Sequence, residues 1–420
     1  MSHIQLTTLD NGLRVITDTV SDIHSVAVGI WVNVGTRNED PAYNGAAHMV
    51  EHMLFKGTPT RSTQQLAEIV EDVGGHMNAY TGREMTSYHI HLLKNDLPLA
   101  LDVLADIYQN ATMPQNEMER ERHVILQEIG MCSDTPDEQV FDNYYEAAYP
   151  GQTLGAPILG KTADISGMKL DALKDYIGRY YTPRRTVISA AGNLNHQDFV
   201  ALVENAFRNL PPDNAQTQQA ADYKGGEIRI DKELEQSHIV LGFEGIAKTD
   251  PEYYAAQTLS TLLGGGMSSR LFQEIREKRG LVYSIYSFHS GYADSGQFSV
   301  YAGTGPDDLK ELVPVVCDEI LRVGDSLSAP EIERAKAQIK SGILINQESM
   351  MGRADQQAKY LVYRGKPIDV DEVIHMIDMV DAGAVQRAAQ KIFTTKPTVS
   401  ALGPLSNLES YGKIAERLKA

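Results

Sequence analysis

The sequence predicts an α+β protein made of two duplicated domains, each an antiparallel β-sheet packed against α-helices. Its 420 residues are enough for two cores of about 200 residues each. Strand patterns of period two are interspersed with helical patterns of period 3.6. Two glycine-centred patterns recur half a chain later: Val28-Gly29-Ile30 is echoed by Leu241-Gly242-Phe243, and Ala191-Gly192-Asn193 by Leu402-Gly403-Pro404. Their offsets of 213 and 211 residues agree closely, which indicates a duplication.

The first half shows the clearest strand and helix patterns. Asn11-Gly12 is a predicted hairpin turn between apolar segments at 6–9 and 13–16. Alternating apolar residues predict a strand over 26–34 with one buried face. Ser62 and Gln65 form a predicted capping box at the start of a helix. Further helices are predicted near 101–107, 116–131 and 197–207, and a further strand at 186–191.

A segment rich in Pro, Asn, Gln and Ala separates the two halves. Such a composition is typical of a linker. We therefore predict an N-terminal domain over residues 1–208, a linker over 209–227 and a homologous C-terminal domain over 228–420.

The composition excludes several classes of protein. With 38 basic and 56 acidic residues the formal net charge is −18, and clustered Lys and Arg are needed to bind phosphates, so no nucleic-acid partner is predicted. Cys132 and Cys317 form no CxxC pattern, which excludes a disulfide scaffold or a cysteine zinc site. No apolar run approaches the roughly 18 residues of a membrane span, and the N-terminus lacks a targeting pattern. These observations predict a cytoplasmic protein without a membrane partner.

The strongest chemical signal is the segment His48-Met49-Val50-Glu51-His52. At about 100° per residue, its first, fourth and fifth positions share one face of a helix. Two neutral imidazoles one turn apart can bind zinc, and a carboxylate beside them can reach a metal-bound water. The alternative interpretation is that two core histidines happen to share a helix.

A catalytic zinc needs three protein ligands and an open position. The best candidate for the third ligand is Glu128, in a predicted helix over 117–129. Glu121 precedes it by two helical turns, faces the same way and could orient His52. For both glutamates, an ordinary solvated helix face is the alternative in so acidic a chain.

These residues and several flanking segments resemble the pitrilysin-type metallopeptidases, which carry the inverted zinc motif HxxEH. Glu128 follows His52 by 76 residues, and this arrangement resembles the zinc site of that family. The resemblance runs over nearly the whole chain, from Leu9-Asp10-Asn11-Gly12-Leu13 through Gly74-Gly75-His76-Met77-Asn78-Ala79-Tyr80 to Gly264–Tyr283. It is closest to the processing-peptidase branch, whose mitochondrial β-subunit has this length and two such halves.

The resemblance implies a zinc metalloendopeptidase with one zinc ion per chain, bound by His48, His52 and Glu128. It implies that Glu51 is the general base, which activates a zinc-bound water for attack on the peptide bond and passes the proton to the leaving amine. Glu121 matches a glutamate that supports the metal ligands. The implied fold is one half of a clamshell chamber around unfolded peptides.

The resemblance also implies residues that hold the substrate. Asn78 and Ala79 match an edge-strand segment that pairs with the substrate backbone, although Asn78 could instead be a turn residue. Arg276 and Tyr283, from the second half, match a pair that lies against the substrate near zinc. A solvated charged helix end is the alternative for Arg276.

Two acidic residues bear on specificity. Glu138 and Asp142 lie four positions apart on one face of a predicted short helix, and they match positions that hold an arginine upstream of the cut in processing peptidases. Together with the net charge of −18, they imply basic, leader-like peptides as substrates. The position equivalent to His48 in the second half is Thr261, in a stretch without histidine or acid, so that half should lack zinc ligands and complete the chamber.

The resemblance further implies a dimer, because one such chain supplies only half of the domains that surround the substrate in longer family members. A homodimer is predicted, with a heterodimer containing a related inactive subunit as the alternative. A bacterial cytoplasmic protein is favoured, and the mitochondrial matrix is the alternative if a targeting segment has been removed. The rival functional hypothesis is a non-catalytic partner subunit, which the presence of all three ligands and Glu51 disfavours.

Overall fold

The computed structural model describes four stretches of the chain, residues 3–208, 210–213, 218–324 and 326–419. They divide into two units, each with its own β-sheet and hydrophobic core. The first unit consists of Met1–Ile129, Ala156–Gln219 and Leu344–Ile368. The second unit consists of Gly130–Gly155, Ala220–Ile343 and Asp369–Ala420.

The first half of the chain forms the first six strands and the first eight α-helices among the described residues. In chain order they are β1 His3–Thr8, β2 Arg14–Thr19, β3 Ser25–Val32, α1 Ala46–Leu54, α2 Thr63–Glu71, β4 His76–Thr81, β5 Thr86–Leu93, α3 Leu97–Asn110, α4 Gln115–Ser133, α5 Pro136–Ala148, α6 Thr162–Gly167, α7 Leu170–Tyr180, β6 Thr186–Gly192 and α8 His196–Ala206. The predicted capping box is present, because the Ser62 hydroxyl accepts from the backbone of Gln65 and the Gln65 side chain accepts from the backbone of Ser62.

The second half continues the numbering. Its elements are β7 Gly226–Asp231, β8 Ser237–Glu244, α9 Tyr253–Gly264, β9 Val282–Gly291, β10 Gly296–Thr304, α10 Leu309–Arg322, α11 Ala329–Asn346, α12 Met350–Arg364, α13 Val370–Asp378, α14 Ala382–Phe393, β11 Thr398–Gly403 and α15 Tyr411–Arg417. A π-helical turn over Phe272–Glu277 precedes β9. None of the helices among the described residues combines the length and the apolar character needed to cross a bilayer.

The sheet of the first unit has the strand order β1-β2-β6-β3-β5-β4. Neighbouring strands are antiparallel except β2 and β6, which are parallel. The predicted hairpin is confirmed, because Leu6 pairs with Ile16 and Gly12 in the turn has a φ of +89°. β4 lies at an edge and pairs with β5 alone among the described strands of this unit.

Strand β3 is buried on both faces, not on one as its alternating pattern predicts. Its even-numbered residues from Val26 to Val32 join the main core of the unit. Ala27 and Trp31 point the other way, into a smaller core that contains Ala354 and Ala358 of α12. The second face is covered by a helix that lies more than 300 residues further along the chain, which the local pattern of β3 does not reveal.

The sheet of the second unit repeats the topology of the first. Its order, β7-β11-β8-β10-β9, matches β2-β6-β3-β5-β4, and its one parallel pair, β7 with β11, matches β2 with β6. Gly192 and Gly403 end equivalent strands with φ values of +135° and +125°. A Cβ atom at these glycines would approach backbone oxygens to 2.4 and 2.5 Å, respectively. The duplicated α+β fold is therefore confirmed.

The two units are not continuous segments of chain. Residues 130–155, which include α5, belong to the second unit, and residues 344–368, which include α12, belong to the first. The predicted boundaries at 208 and 228 would place the first of these segments in the N-terminal domain and the second in the C-terminal domain. The observed units therefore differ from the predicted domains in these two segments. Within the predicted linker over 209–227, residues 209 and 214–217 lie outside the described residues.

Candidate metal centre

The helix that carries the two histidines begins at a buried carboxylate. Glu39 is 5 % exposed, and its Oε1 accepts a hydrogen bond from Ala47 N at 2.8 Å. Its Oε2 accepts from Gly45 N and from Asn44 Nδ2, each at 3.0 Å. Gly45 has a φ of +92°, a left-handed conformation that favours glycine. These contacts fix the first turn of α1 directly before the motif.

Helix α1 places the motif histidines on one face, as predicted. Met49, Val50 and Met53 are fully buried in the core of the first unit and anchor the opposite face. The rings of His48 and His52 lie one turn apart, with centroids separated by 4.6 Å and planes inclined by 69°. The orientation of both imidazoles therefore follows from the packing of the apolar face of α1.

The carboxylate of Glu128, on α4, lies near both histidines. Its Oε2 lies 3.9 Å from His48 Nε2 and 3.8 Å from His52 Nε2, which is too long for hydrogen bonds. Ligand atoms about 2.0–2.2 Å from a tetrahedral zinc lie roughly 3.3–3.6 Å from one another. Potential ligand atoms of these three residues all lie within 4.8 Å, the one such group of three among the residues that the structure describes.

A buried carboxylate oxygen supports a cation at this point. Among the described residues, His48 Nδ1 and Glu128 Oε2 have no hydrogen-bond partner. A buried carboxylate oxygen without a donor is costly unless a cation compensates for it. Burial, followed by the nearby charge of His52, lowers the pKa of His48 to about 4, so its ring is neutral at pH 7. Two imidazoles and one carboxylate are ligands that zinc accepts, and the residues therefore fit the metal.

Glu121 holds His52 from the side away from Glu128. Its Oε2 lies 2.8 Å from His52 Nδ1, and its Oε1 lies 2.7 Å from Lys56 Nζ. Burial acts to raise the pKa of Glu121, but hydrogen bonds from Lys56 and His52 outweigh it and keep this pKa below its usual range. The ionised carboxylate accepts a hydrogen bond from the Nδ1–H group of His52, so the lone pair on Nε2 is free to bind a metal.

Glu51 lies beside these residues on α1. Its Oε2 accepts a hydrogen bond from Thr81 Oγ1 at 2.5 Å. Burial is the main cause that raises the pKa of Glu51, against the lowering effects of Thr81 and His52, and Glu128 raises it further. A carboxylate with a raised pKa is suited to accept a proton near neutral pH.

A cavity of about 340 Å³ adjoins Glu51 and His52. Asn78 and Ala79 lie on its wall in β4, so Asn78 belongs to an edge strand and not to a turn. Asn78 Oδ1 accepts a hydrogen bond from Ala79 N at 2.8 Å. The rest of the wall is largely apolar and includes Phe55, Leu66, Ala67 and Met77.

Arg276 and Tyr283 lie together in the second unit. The Arg276 guanidinium is 4.7 Å from the ring centroid of Phe272 and 5.3 Å from that of Tyr283. Arg276 belongs to the π-helical turn, a rare geometry that often occurs at functional sites. Tyr283 is 78 % exposed. The two side chains are close to each other, and their contact with substrate stays a prediction.

Glu138 and Asp142 lie on α5, also in the second unit. Asp142 Oδ2 is 3.8 Å from Cys132 Sγ. Burial, followed by the charges of Asp142 and Glu138, raises the pKa of the Cys132 thiol to about 11. Both carboxylates therefore lie near the Cys132 thiol, as expected for two residues on a common face of the helix. Their recognition of arginine stays a prediction.

Glu39 leads to a prediction about pH. Burial raises its pKa to about 7, against the lowering effect of its three hydrogen bonds, and Asp164 adds a smaller increase. The folded chain holds this proton more tightly than the unfolded chain, so stability from Glu39 is complete below about pH 4.5 and is lost as pH rises to about 7. Glu39→Gln should remove a fall of about 3 kcal/mol in the free energy of unfolding over this window.

Urea unfolding of the metal-free protein at several pH values measures this difference. The wild type and Glu39→Gln should differ in slope against pH, whatever the absolute cost of the substitution. Parallel slopes for the two proteins would contradict the assignment of the proton to Glu39.

The duplicated fold and the site geometry together define a zinc peptidase in general terms. Comparison with known proteins agrees. Residues 14–162 match the family described as "Insulinase (Peptidase family M16)", and residues 167–339 match the "Peptidase M16 inactive domain". The chain belongs to the M16 peptidase family. The range 167–339 that matches the inactive domain contains none of His48, His52 and Glu128.

Relatives match over nearly the full chain. An uncharacterized zinc protease from Rickettsia bellii is 38 % identical over 97 % of this chain and 99 % of its own length. A probable mitochondrial-processing peptidase subunit beta from Arabidopsis thaliana is 36 % identical over 98 % of this chain and 81 % of its own length. A protease from Helicobacter pylori shares the fold, with a TM-score of 0.89 at 24 % identity over 96 % of this chain and all of that one.

Proposed function

We propose that this chain is an active zinc metalloendopeptidase that hydrolyses unfolded, basic leader-like peptides or oligopeptides. The observation that carries the proposal is the convergence of His48, His52 and Glu128 on one point, with Glu51 between the two histidines on α1. A protein that only stored zinc would need the three ligands but not a half-buried carboxylate held next to an open cavity.

His48, His52 and Glu128 would hold the zinc ion. When bound, zinc supplies Lewis acidity, which polarises the scissile carbonyl and lowers the pKa of water from 15.7 to about 7. Glu121 holds the ring of His52 through Nδ1, so that Nε2 keeps its orientation during the reaction.

Glu51 moves the proton. Its Oε2 is engaged by Thr81, so Oε1 is the oxygen that takes a proton from the attacking water. After attack, the same carboxyl group donates this proton to the leaving amine. Burial raises the pKa of Glu51, which favours this exchange near neutral pH.

The edge strand β4 supports recognition of an extended peptide backbone. Among the described strands of the first unit it pairs with β5 alone, which leaves one side of its backbone for strand addition. Ala79 N donates to the side chain of Asn78, so a substrate strand that uses this donor must displace that contact. Backbone pairing at Asn78 and Ala79 would allow varied sequences to bind.

Similarity to a processing-peptidase subunit supports peptide processing as the activity. In the proposal, Glu138 and Asp142 hold a substrate arginine, and Arg276 and Tyr283 donate hydrogen bonds to the substrate carbonyl. The net charge of −18 agrees with cationic peptides.

The proposal is tested by cleavage of a quenched basic leader peptide by the purified chain alone, with and without a chelator. We expect chelator-sensitive cleavage at a defined bond, identified by sequencing the products. A peptide in which the upstream arginine is replaced by alanine should be cut more slowly by the wild type. The double variant Glu138→Gln/Asp142→Asn should lose this difference between the two peptides.

Two other outcomes would contradict parts of the proposal. Cleavage that survives removal of zinc would contradict the metallopeptidase proposal. Stoichiometric zinc without cleavage of either peptide would favour a non-catalytic partner subunit or a need for a second, related chain. That result would also contradict the predicted self-sufficient homodimer.

A further inference from the structure

Thr81 connects the predicted base to the predicted substrate strand. It is the last residue of β4 and pairs with Thr86 of β5. Side chains alternate along a strand, so Met77, Ala79 and Thr81 share one face. Met77 and Ala79 line the cavity beside the metal ligands, and Thr81 donates its hydroxyl hydrogen bond to Glu51 from the same face.

The residue before Thr81 contacts a different part of the unit. Tyr80 points to the opposite side of the sheet, where its hydroxyl donates to Asp355 Oδ1 at 2.7 Å. Trp31 Nε1 donates to the same oxygen at 3.0 Å. The end of β4 is therefore held on both faces, and a hydroxyl group from Thr81 is what reaches the motif helix.

Glu51 has few other constraints. Among the described residues, Thr81 supplies the hydrogen bond to Oε2, and Oε1 accepts none. The terminal torsion of a glutamate is broad, so packing of the chain alone does not select one orientation of the carboxylate. A general base must present one oxygen to the water in a narrow range of positions.

We propose that Thr81 is a positioning residue, which orients the Glu51 carboxylate so that Oε1 takes the proton and which ties this orientation to the strand that receives the substrate. This inference rests on the proposed function, in which Glu51 is the base. Thr81 touches neither the metal ligands nor the scissile bond in this scheme, and it acts through Glu51.

The test compares Thr81→Val, which keeps the branched shape and removes the hydroxyl, with Thr81→Ser, which keeps the hydroxyl. Loss of a supporting hydrogen bond typically reduces activity by about 10–100-fold, so kcat of Thr81→Val should fall by at least about tenfold with little change in KM. Thr81→Ser should restore kcat to near the wild-type value. Zinc content should be the same in all three proteins.

Thr19→Val is the matched control. Thr19 is a partly buried strand threonine of the same sheet, and its hydroxyl donates to the carbonyl of Leu194 at 3.2 Å. It contacts no residue of the candidate metal centre, so its kcat should equal that of the wild type.

Two binding measurements separate this inference from the proposed function. Affinity of the metal-free protein for the intact peptide should be unchanged in Thr81→Val, because the backbone edge of β4 is retained. A peptide hydroxamate, whose hydroxyl donates to the base carboxylate, should bind the zinc-loaded variant about tenfold more weakly than the wild type. If the wild type binds the hydroxamate but cleaves no peptide, the proposed function fails while this affinity difference still supports Thr81.

Three results would overturn the inference. Thr81→Val could keep wild-type kcat and hydroxamate affinity, which would show that the hydroxyl does not orient Glu51. Thr81→Val and Thr81→Ser could lose activity equally, which would assign the effect to packing of the methyl group. A weaker affinity of metal-free Thr81→Val for the peptide would place Thr81 in substrate binding instead.

Discussion

Replacement of Glu51 by glutamine is expected to reduce kcat for peptide cleavage by about a thousandfold. Glutamine has the same shape and can still accept the hydrogen bond from Thr81, but it cannot take a proton from water. The ligand atoms belong to His48, His52 and Glu128, so the variant should keep one zinc per chain. Cleavage of the quenched peptide and zinc content by atomic absorption measure the two properties on the same sample.

Glu71→Gln provides the control for this substitution. Glu71 is an exposed residue of α2 in the same unit, so the same chemical change there should leave both zinc content and kcat unaltered. A zinc-replete Glu51→Gln protein with wild-type kcat would remove Glu51 from the role of base.

Replacement of a metal ligand should weaken zinc binding, in contrast to Glu51→Gln, which should slow the catalytic step. Loss of a residue that only orients a ligand costs about 10–100-fold in metal affinity, so loss of a ligand itself should exceed about 100-fold. We therefore expect His48→Ala and Glu128→Gln to weaken zinc affinity by more than this range, and Glu121→Gln to weaken it by an amount within the range. Competition with a zinc-binding dye gives the dissociation constants.

Thermal unfolding gives an independent measure of the same loss. Zinc binds the folded state, so added zinc should raise the unfolding temperature of the wild type and much less that of the ligand variants. His123→Ala is the control, because His123 is an exposed histidine on the same helix as Glu128. Wild-type zinc affinity in His48→Ala or Glu128→Gln would exclude that residue as a ligand.

Much of the candidate site could be predicted because helical periodicity relates its residues. Positions 48, 51 and 52 fall on one face of any straight helix, and Glu121 and Glu128 are two turns apart. The sequence gives no signal for Thr81 or Lys56, although both contact predicted site residues. Their contacts join different elements of the unit, so no spacing along one helix or strand reveals them.

The fold was predictable to a similar extent. Gly192 and Gly403 mark the duplication because their backbone conformations and close neighbours exclude larger residues. The positions of α5 and α12 were not predictable from such signals. An amphipathic helix shows that it has a buried face, but its pattern does not state which sheet it covers.

The exchange of helix-bearing segments between the two halves has a consequence for synthesis of the protein. The first unit includes residues up to Ile368, so about seven-eighths of the 420-residue chain must leave the ribosome before this unit is complete. Until then, the face of the first sheet that contains Ala27 and Trp31 lacks its covering helix. An unfinished chain with such an apolar sheet face is a ligand for chaperones and is prone to aggregate.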